Sequence, residues 1–337
     1  MTVLDKRKTD HIELAVQAQL ESAQVDGRFY YEPLFGHHPK EIDLQCSFLG
    51  KKMGAPLWVS SMTGGTGPAR HINQNLAQAV KEFGLGMGLG SCRSLLESET
   101  YFEDFNLRPI LGKDVPFYAN IGIVQVDELL KTKEIHRLED LLERLDVDGV
   151  FVHLNPLQEW FQPEGDFLER SSLSILEELI SSSKMNVIVK EVGQGMGPKS
   201  LKALMTMPLA AIEFSAFGGT NFSKLEMLRD HQGIKTAYEP LAKVGHTASD
   251  MVVLANEVRR SLGDDCLVKD FIISGGVKDF LDGYYLTSLF EGNAVYGQAK
   301  ALLEQANQDY QTLQTYIRYQ LLGLSMAKQF LTLRSSL

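Results

Sequence analysis

The sequence has few cysteines, no long apolar run and no block of basic residues, and each absence argues against a class of protein. Cys46, Cys92 and Cys266 are odd in number and widely spaced, which suits neither a disulfide framework nor a metal knuckle. The longest apolar runs, such as residues 207–212, are too short to span a bilayer. The net charge of −10, without a run of lysine or arginine, argues against a surface for nucleic acid or anionic membrane. Any anionic ligand must therefore be held by a local site.

The composition is that of a globular protein that can bury a large core, since 44% of the residues are hydrophobic and 23% are charged. A length of 337 residues fits either two ordinary domains or one α/β barrel with insertions. Residues 1–10 are charged and lead into a helical pattern over residues 11–24, without the apolar core of a secretory signal. We therefore expect a cytoplasmic protein whose cysteines are reduced.

Short apolar runs alternate with helical patterns along most of the chain. The runs predict eight strands at residues 56–62, 85–91, 116–122, 147–155, 186–193, 209–218, 268–276 and 294–299. The helical patterns between them include residues 72–83, 139–145, 173–182 and 198–205. Eight strands with room for a helix after most of them predict a (β/α)₈ TIM barrel, and a doubly wound sheet is the alternative.

Two regions depart from this alternation. Residues 220–265 are too many for one loop and one helix, so we expect an extra segment over the barrel mouth after strand six. No linker rich in proline, glycine and serine marks a second domain, so residues 1–337 are interpreted as a single domain. Residues 301–337 carry an apolar helical stripe, which predicts a helix packed on the barrel or a subunit contact. We also expect a homo-oligomer.

A polar cluster follows the apolar run at residues 149–152. It contains His153, Asn155, Gln158 and Glu159, four side chains that are costly to bury without partners. In a barrel this cluster lies at the rim of the site, although a satisfied turn closed by a proline is the alternative. Glu159 is a lone carboxylate, which suits one-point binding of Mg²⁺ better than a zinc cage; an exposed surface position is its alternative.

Two features of the later strands point to a bound phosphate and an electron-rich group. Glycines at the ends of strands seven and eight, including Gly275 and Gly276, suit a phosphate site, as in barrels that bind flavin mononucleotide, or else tight turns. Lys190 lies in an apolar strand and needs an electron-rich partner. That partner is either a flavin N1/C2 carbonyl edge or Glu213 on the next strand.

Cations near the predicted rim suggest a site for an anion. Arg93 follows a glycine and Ser91 at a strand end, where a hydroxyl, backbone N–H groups and a guanidinium can meet one phosphate. Arg7 and Lys8 precede a helix; such pairs are either solvated or fold over a site and clamp an anion. The second possibility makes residues 1–50 an arm over the site.

Seven short motifs occur in a fixed order along the chain. They are Arg7-Lys8-x-x-His11, Ser61-Met62-Thr63-Gly64-Gly65-Thr66, Gly90-Ser91-x-Arg93, His153-Leu154-Asn155-x-x-Gln158-Glu159, Gln162-Pro163-Glu164-Gly165-Asp166, Lys190-Glu191-Val192-Gly193 and Gly218-Gly219-Thr220. Together, from about residue 6 to the C-terminal helix, they resemble the type 2, FMN-dependent isopentenyl-diphosphate Δ-isomerases. The resemblance implies a TIM-barrel enzyme of isoprenoid biosynthesis that interconverts isopentenyl and dimethylallyl diphosphate.

The resemblance also implies cofactors and their contacts. FMN is active in its reduced form, NADPH or another donor reduces it, and Mg²⁺ binds the substrate diphosphate. The implied FMN contacts are Met62, Thr63, Gly64, Ser91, Asn120, Lys190, Ser215, Thr220, Gly275, Gly276, Gln298 and Ala299.

The same resemblance assigns the residues that bind and convert the substrate. The implied diphosphate contacts are Arg7, Lys8, Ser91 and Arg93. Gln158 faces the isoprene unit and Glu159 binds Mg²⁺. His153 and Asn155 complete the pocket, and Glu226 matches a glutamate that family members place near the site. Reduced flavin is expected to assist the proton transfer.

The chain departs from the family pattern at three places. Cys92, Asn221-Phe222 and Lys278 stand where the family usually has glutamine, tryptophan and arginine.

Two other functions have to be considered. FMN-dependent oxidation of a 2-hydroxy acid needs a histidine base after strand six, where residues 215–220 contain none. A non-catalytic protein that binds prenyl phosphate or flavin is the other possibility, and the retained Gln158 and Glu159 argue against it.

Overall fold

Eight parallel strands close into a barrel in the computed structural model, which describes residues 3–39, 41–61, 64–65, 67–229 and 237–334. The barrel strands are β4 Leu57–Val59, β5 Gly86–Gly88, β6 Phe117–Gly122, β7 Gly149–His153, β8 Val187–Lys190, β9 Ala211–Glu213, β10 Asp270–Ser274 and β11 Asn293–Gln298. Each pairs with the next along the chain, and β11 closes the barrel against β4. The predicted (β/α)₈ barrel is confirmed, every predicted run overlaps one strand, and the doubly wound alternative is wrong.

Helices surround the barrel and fill the connections between its strands. The described helices are α1 Val3–Leu14, α2 Gly67–Phe83, α3 Arg93–Glu97, α4 Phe102–Phe105, α5 Arg108–Leu111, α6 Ile123–Lys131, α7 His136–Arg144, α8 Pro156–Phe161, α9 Ser172–Ser182, α10 Pro198–Met205, α11 Phe222–Arg229, α12 Glu239–Ala242, α13 Ala248–Leu262, α14 Phe280–Leu289, α15 Lys300–Ala306 and α16 Tyr310–Phe330. Most of them pack apolar residues against the strands in one large core, whereas α8, α11 and α12 meet in a separate small cluster of Phe161, Met227 and Ala242. Among the described helices, none is long and apolar enough to cross a membrane.

A short hairpin closes the amino end of the barrel. It consists of β2 Cys46–Phe48 and β3 Lys51–Met53, which pair antiparallel. Phe48 and Met53 are buried in a cluster with Trp58 inside the barrel. The hairpin also contacts the first residues of β10 and β11 through side-chain hydrogen bonds. Residues 46–53 therefore lie at the end of the barrel away from the predicted site, and the position of the rest of residues 1–50 over that site stays a prediction.

The N-terminal helix does not lie where its pattern indicated. A helix was predicted over residues 11–24, but α1 ends at Leu14, and only a short 3-10 turn at Ser22–Gln24 follows. That prediction is wrong for the segment between them. Ile12 and Leu20 are 79% and 84% exposed, so no packed face holds a longer helix together. Apolar spacing without tertiary burial contributes little to helix stability.

The connection between β9 and β10 contains more than one helix, as the sequence predicted. Helix α13 packs against α10 and β10 as a barrel helix, while α11 and α12 are additional. Helix α11 packs against α8 at the carboxyl end of the strands, so the predicted extra segment over the barrel mouth is confirmed. Residues 230–236 of this segment lie outside the described residues.

The C-terminal helix α16 buries its apolar stripe. Leu313, Ile317, Leu321 and Leu324 are all at most 5% exposed. The helix packs against α2, α14 and α15. After it, β12 Leu331–Leu333 pairs antiparallel with β1 Phe29–Tyr31 and ties the two ends of the chain together. Of the two predicted roles for the stripe, packing on the barrel is the one that the structure shows.

Candidate active site

A cavity of about 380 Å³ opens at the carboxyl ends of the barrel strands. Strand ends from β8, β9, β10, β11 and β4 contribute its walls, and its size is within the range of small-molecule sites. Seven of the predicted cofactor residues line it, namely Lys190, Ser215, Thr220, Gly275, Gly276, Gln298 and Ala299. The structure therefore brings residues that lie far apart in the sequence together around one cavity.

Glycines let two loops approach each other at the edge of this cavity. Gly275 has φ +91°, and a Cβ there would lie 2.1 Å from the carbonyl oxygen of Ala216. Gly276 and Gly218 also have positive φ, and a Cβ on either would lie 3.2 to 3.3 Å from the other's Cα. Within the described part of the chain, no acceptor pairs with the N–H groups of Gly275 and Gly276. Such N–H groups suit an anion.

Lys190 brings a buried positive charge to the cavity wall. It is 6% exposed, and its Nζ donates a hydrogen bond to the carbonyl oxygen of Glu191 at 2.8 Å. Glu213 is its register partner on β9, yet the described residues contain no ion pair between the two side chains. The salt bridge considered from the sequence is therefore not what the structure shows, and the ammonium group is available to a ligand.

Glu213 itself is a fully buried carboxylate in the same wall. Its Oε1 accepts hydrogen bonds from Ser60 Oγ at 2.6 Å and Ser274 Oγ at 2.8 Å. Ser274 Oγ in turn accepts from the backbone N–H of Ser215, whose φ of 45° is unusual for a residue with a side chain. Among the described residues, Glu213 Oε2 has no hydrogen-bond partner.

Sequence reasoning weighed Glu213 only as a partner for Lys190 and gave no role to Ser60 or Ser274. The signal was present, because each of these side chains ends or follows an apolar barrel strand. A polar residue in that position faces the carboxyl end of the barrel, where ligands bind.

His153 ends β7 and is neutral at ordinary pH. Its Nδ1 lies 2.7 Å from Oδ1 of Asn120, which lies within the neighbouring strand β6. Burial, followed by the positive charge of Lys190, lowers the pKa of His153 to about 3. A neutral imidazole that donates Nδ1–H to Asn120 has only an acceptor left at Nε2. His153 therefore cannot serve as a cationic acid here.

Four predicted residues form one hydrogen-bonded group, called here the polar network: Asn155, Gln158, Glu159 and Glu226. Asn155 caps the start of α8, with Pro156 as the first helical residue. Its Nδ2 donates to Glu159 Oε1 at 2.8 Å and to Gln158 Oε1 at 3.3 Å. Gln158 Nε2 donates to Glu226 Oε1, 3.1 Å away on α11. The amide of Gln158 is thereby held at both ends.

Further donors hold the buried carboxylate of Glu226. Gln162 Nε2 donates to its Oε1 at 3.2 Å, and Arg229 Nη1 donates to its Oε2 at 2.6 Å. Arg229 also contacts Glu164 at 2.7 Å. Gln162 and Arg229 received no role from the sequence. Gln162 lies in one of the seven motifs, and Arg229 follows Glu226 by one helical turn. Both residues could be seen in the sequence, but nothing in their spacing marked them as functional.

Glu159 is 7% exposed, and both of its oxygens accept hydrogen bonds. The second donor is the backbone N–H of Asp166, 3.0 Å from Oε2. The described residues contain no cluster of three or more histidine, cysteine, aspartate or glutamate side chains suited to a metal. Any metal held by Glu159 would thus have at most one further ligand of these four types among the described residues, and substrate and water would supply the rest.

Arg93 lies on the exposed side of the network. Its guanidinium is 3.3 Å from the carboxylate of Asp166, and both side chains are 46% exposed. Ser91 is exposed beside it, and a Cβ on Gly64 would lie 3.7 Å from the Ser91 carbonyl oxygen. The acidic partner of Arg93 comes from a distant part of the chain. Of the remaining predicted contacts, Met62 and Thr63 lie outside the described residues.

Arg7 and Lys8 are exposed on α1, and no described ion pair involves them. The structure therefore does not bring these two residues to the cavity or to the polar network. Their role in binding the substrate stays a prediction.

Solved structures with the same architecture are distant in sequence. A flavocytochrome b2 variant with benzoylformate superposes with a TM-score of 0.62 at 14% identity, over 89% of this chain and 71% of that one. A mandelate oxidase variant with (S)-mandelic acid gives 0.54 at 10% identity, over 92% and 87%. At these identities the likeness shows the barrel fold alone.

Curated relatives are much closer in sequence, although no family model matches the chain. The isopentenyl-diphosphate delta-isomerase of Synechococcus sp. is 34% identical over 320 residues, 93% of this chain and 88% of the relative. The enzymes of the same name from Rickettsia akari and Rickettsia typhi are 34% and 33% identical, over 89% and 90% of this chain and 86% of each relative. By this similarity over nearly its whole length, the chain belongs to the isopentenyl-diphosphate delta-isomerase family, as its motifs indicated.

Proposed function

We propose that the protein interconverts isopentenyl diphosphate and dimethylallyl diphosphate with reduced FMN bound in the cavity. The observation that carries this proposal is the connection between the cavity and the polar network. Helix α11 contributes Phe222 to the cavity lining and Glu226 to the network, so both sets of residues meet at one barrel mouth. Family membership supports the same reaction.

The cavity lining fits FMN. The N–H groups of Gly275 and Gly276, which have no acceptor among the described residues, suit its phosphate. The Lys190 ammonium suits the electron-rich edge of its ring. Gln298 Oε1, buried and without a partner among the described residues, can accept a hydrogen bond from the ligand. When bound and reduced, FMN supplies an electron-rich ring whose N5 can exchange a proton. We infer that NADPH or another donor reduces it.

The reaction moves a proton along three carbons without net redox change. A simple alkene is a poor base, so an acid must lie beside the terminal carbon and the developing tertiary cation must be stabilised. Gln158 is too weak to be that acid. Its amide, held between Asn155 and Glu226, instead positions the allylic proton or relays it through water. Neutral His153 keeps a second positive charge away from the cation.

The rim residues anchor the diphosphate. Arg93 exchanges its exposed partner Asp166 for the substrate, which costs little because exposed ion pairs are weak. Ser91 contributes a hydroxyl beside it, and Arg7 and Lys8 approach from the arm. Glu159 binds Mg²⁺ that also contacts the diphosphate oxygens. Anchored in this way, the small hydrocarbon end is held in a reactive position.

Oxidation of a 2-hydroxy acid is less well supported, although one superposed enzyme holds (S)-mandelic acid, a 2-hydroxy acid, and another holds benzoylformate, the corresponding 2-oxo acid. It requires a base that removes a proton from the substrate, and the described lining of the cavity includes no histidine. A binding protein without activity would have no use for the amide of Gln158 held in one orientation. Turnover separates these possibilities.

The test is anaerobic incubation of the purified protein with FMN, NADPH, Mg²⁺ and isopentenyl diphosphate. We expect dimethylallyl diphosphate to form only when the flavin is reduced. Omission of Mg²⁺ should lower the rate, and Glu159→Gln should raise the Mg²⁺ concentration required while FMN stays bound. Equal rates with oxidised and reduced flavin, or a rate without flavin, would refute the proposal. A homo-oligomer and a cytoplasmic location stay predictions of the sequence.

A further inference from the structure

One oxygen of the buried Glu213 carboxylate has no hydrogen-bond partner among the described residues. Oε1 accepts two serine hydroxyls, whereas Oε2 accepts nothing among the described residues, although the side chain is fully buried and lines the cavity. Buried polar atoms are almost always hydrogen-bonded, and a carboxylate oxygen can only accept. Oε2 therefore requires a donor, and the cavity is the space from which a ligand can supply one.

The position of Glu213 in the barrel indicates which part of the ligand passes it. In the barrel order, β9 lies between β8, which ends at Lys190, and β10, which leads into Gly275. In the proposed FMN site, the phosphate lies at the glycines after β10 and the ring edge lies at Lys190. The ribityl chain joins those two groups, and the shorter path between them around the barrel mouth passes β9. That chain carries three hydroxyl groups, each of which can donate a hydrogen bond.

The two serines hold the carboxylate for this purpose. Because Ser60 and Ser274 both donate to Oε1, the carboxylate plane is fixed from two sides. Ser274 also accepts the backbone N–H of Ser215, which ties Glu213 to the loop that forms the adjacent cavity wall. A fixed acceptor recognises a hydroxyl without first losing side-chain freedom.

We propose that Glu213 recognises the ribityl chain of FMN, with Oε2 accepting a hydrogen bond from one ribityl hydroxyl. This inference rests on the proposed FMN site and adds to it a residue that selects a polyol-bearing flavin phosphate. Lys190 holds the ring edge and Glu213 holds the chain.

The experiment measures flavin binding and not turnover. Protein freed of flavin is titrated with FMN and with FMN analogues that lack the 2′-, 3′- or 4′-hydroxyl, and Kd is obtained from flavin fluorescence. We expect the wild type to bind one of these analogues about tenfold or more weakly than FMN, as for a hydrogen bond to a charged group. Glu213→Met should bind FMN about as weakly as that analogue and should no longer distinguish the two.

Two further variants keep the result interpretable. Glu213→Gln retains an acceptor and the shape of the side chain, so it should recover part of the discrimination even if Glu213→Met folds poorly. Lys190→Met should weaken binding of FMN and of the analogue by the same factor, leaving their ratio unchanged. If the wild type binds no flavin, the FMN site itself is refuted. If it binds FMN and all three analogues equally, or if both Glu213 variants keep the wild-type ratio, the FMN site stands and the role of Glu213 is wrong.

Discussion

The cavity wall and the polar network beside it differ in how fully their buried carboxylates are hydrogen-bonded. In the wall, Glu213 Oε2 and Gln298 Oε1 are buried without partners in the described structure. In the network, Glu159 and Glu226 each accept hydrogen bonds at both oxygens. Asn155 Oδ1 is the exception there, since it is buried without a partner among the described residues. An unpaired carboxylate oxygen in the wall can take a donor from a ligand directly, whereas a fully paired carboxylate must first exchange a partner.

This difference follows from where each region lies in the fold. The wall is built from ends of barrel strands, which the closed sheet holds on both sides. The network joins the short helix α8 to α11 of the extra segment, so its parts can move without opening the barrel. We therefore expect changes in the wall to alter cofactor affinity and changes in the network to alter turnover and substrate binding.

The largest expected effect is on turnover. Gln158→Ala removes the amide that we propose faces the isoprene unit, so kcat of the reduced enzyme should fall by roughly 100-fold or more while Kd for FMN is unchanged. Gln162→Ala is the matched control, because it removes another amide from the same oxygen of Glu226. Its effect on kcat should be smaller. A Gln158→Ala enzyme with wild-type kcat would contradict the assignment of the network to catalysis.

A smaller effect is expected at the rim. Arg93→Ala should raise KM for isopentenyl diphosphate about tenfold or more with little change in kcat, because one charge-assisted contact to the diphosphate is lost. Asp166→Asn is informative beside it, since it releases Arg93 from its exposed partner and should leave KM unchanged or lower. Steady-state kinetics at saturating Mg²⁺ measures both. A wild-type KM for Arg93→Ala would separate Arg93 from the substrate.

The smallest expected effect is on the pH dependence of stability. It concerns His153, which lies where the cavity wall and the polar network meet. Because burial lowers the pKa of His153 to about 3, the unfolded chain takes up a proton first as the pH falls below the ordinary histidine value. The free energy of unfolding should therefore decrease by about 1 kcal/mol between about pH 6 and about pH 5, and continue to fall until the folded protein is protonated.

Denaturant titrations across this pH range measure the effect. His153→Asn should flatten the pH dependence by about that amount, whereas His136→Gln, at an exposed position on α7, should keep the wild-type slope. A His153→Asn slope equal to that of the wild type would show that the imidazole is not buried in its neutral form.

Much of the fold was readable from the sequence because its signals are local. The eight strands appear as short apolar runs, and the polar residues that end them appear as breaks in those runs, as at Lys190 and at His153. Gly275 was visible for the same reason, although only the structure shows that its lack of a side chain serves close contact with Ala216. The N-terminal helix was misplaced because its apolar spacing has no partner to pack against.

The sequence by itself determined the barrel, the end of it that carries the site and the family to which the chain belongs. Only the tertiary structure decided which polar groups meet. Asp166 pairs with Arg93, Arg229 secures Glu226, and two serines from different strands share one oxygen of Glu213, whose other oxygen has no partner among the described residues. Apolar periodicity records which face of an element is buried, and closing the barrel brings together side chains whose separation along the chain carries no sign of their contact.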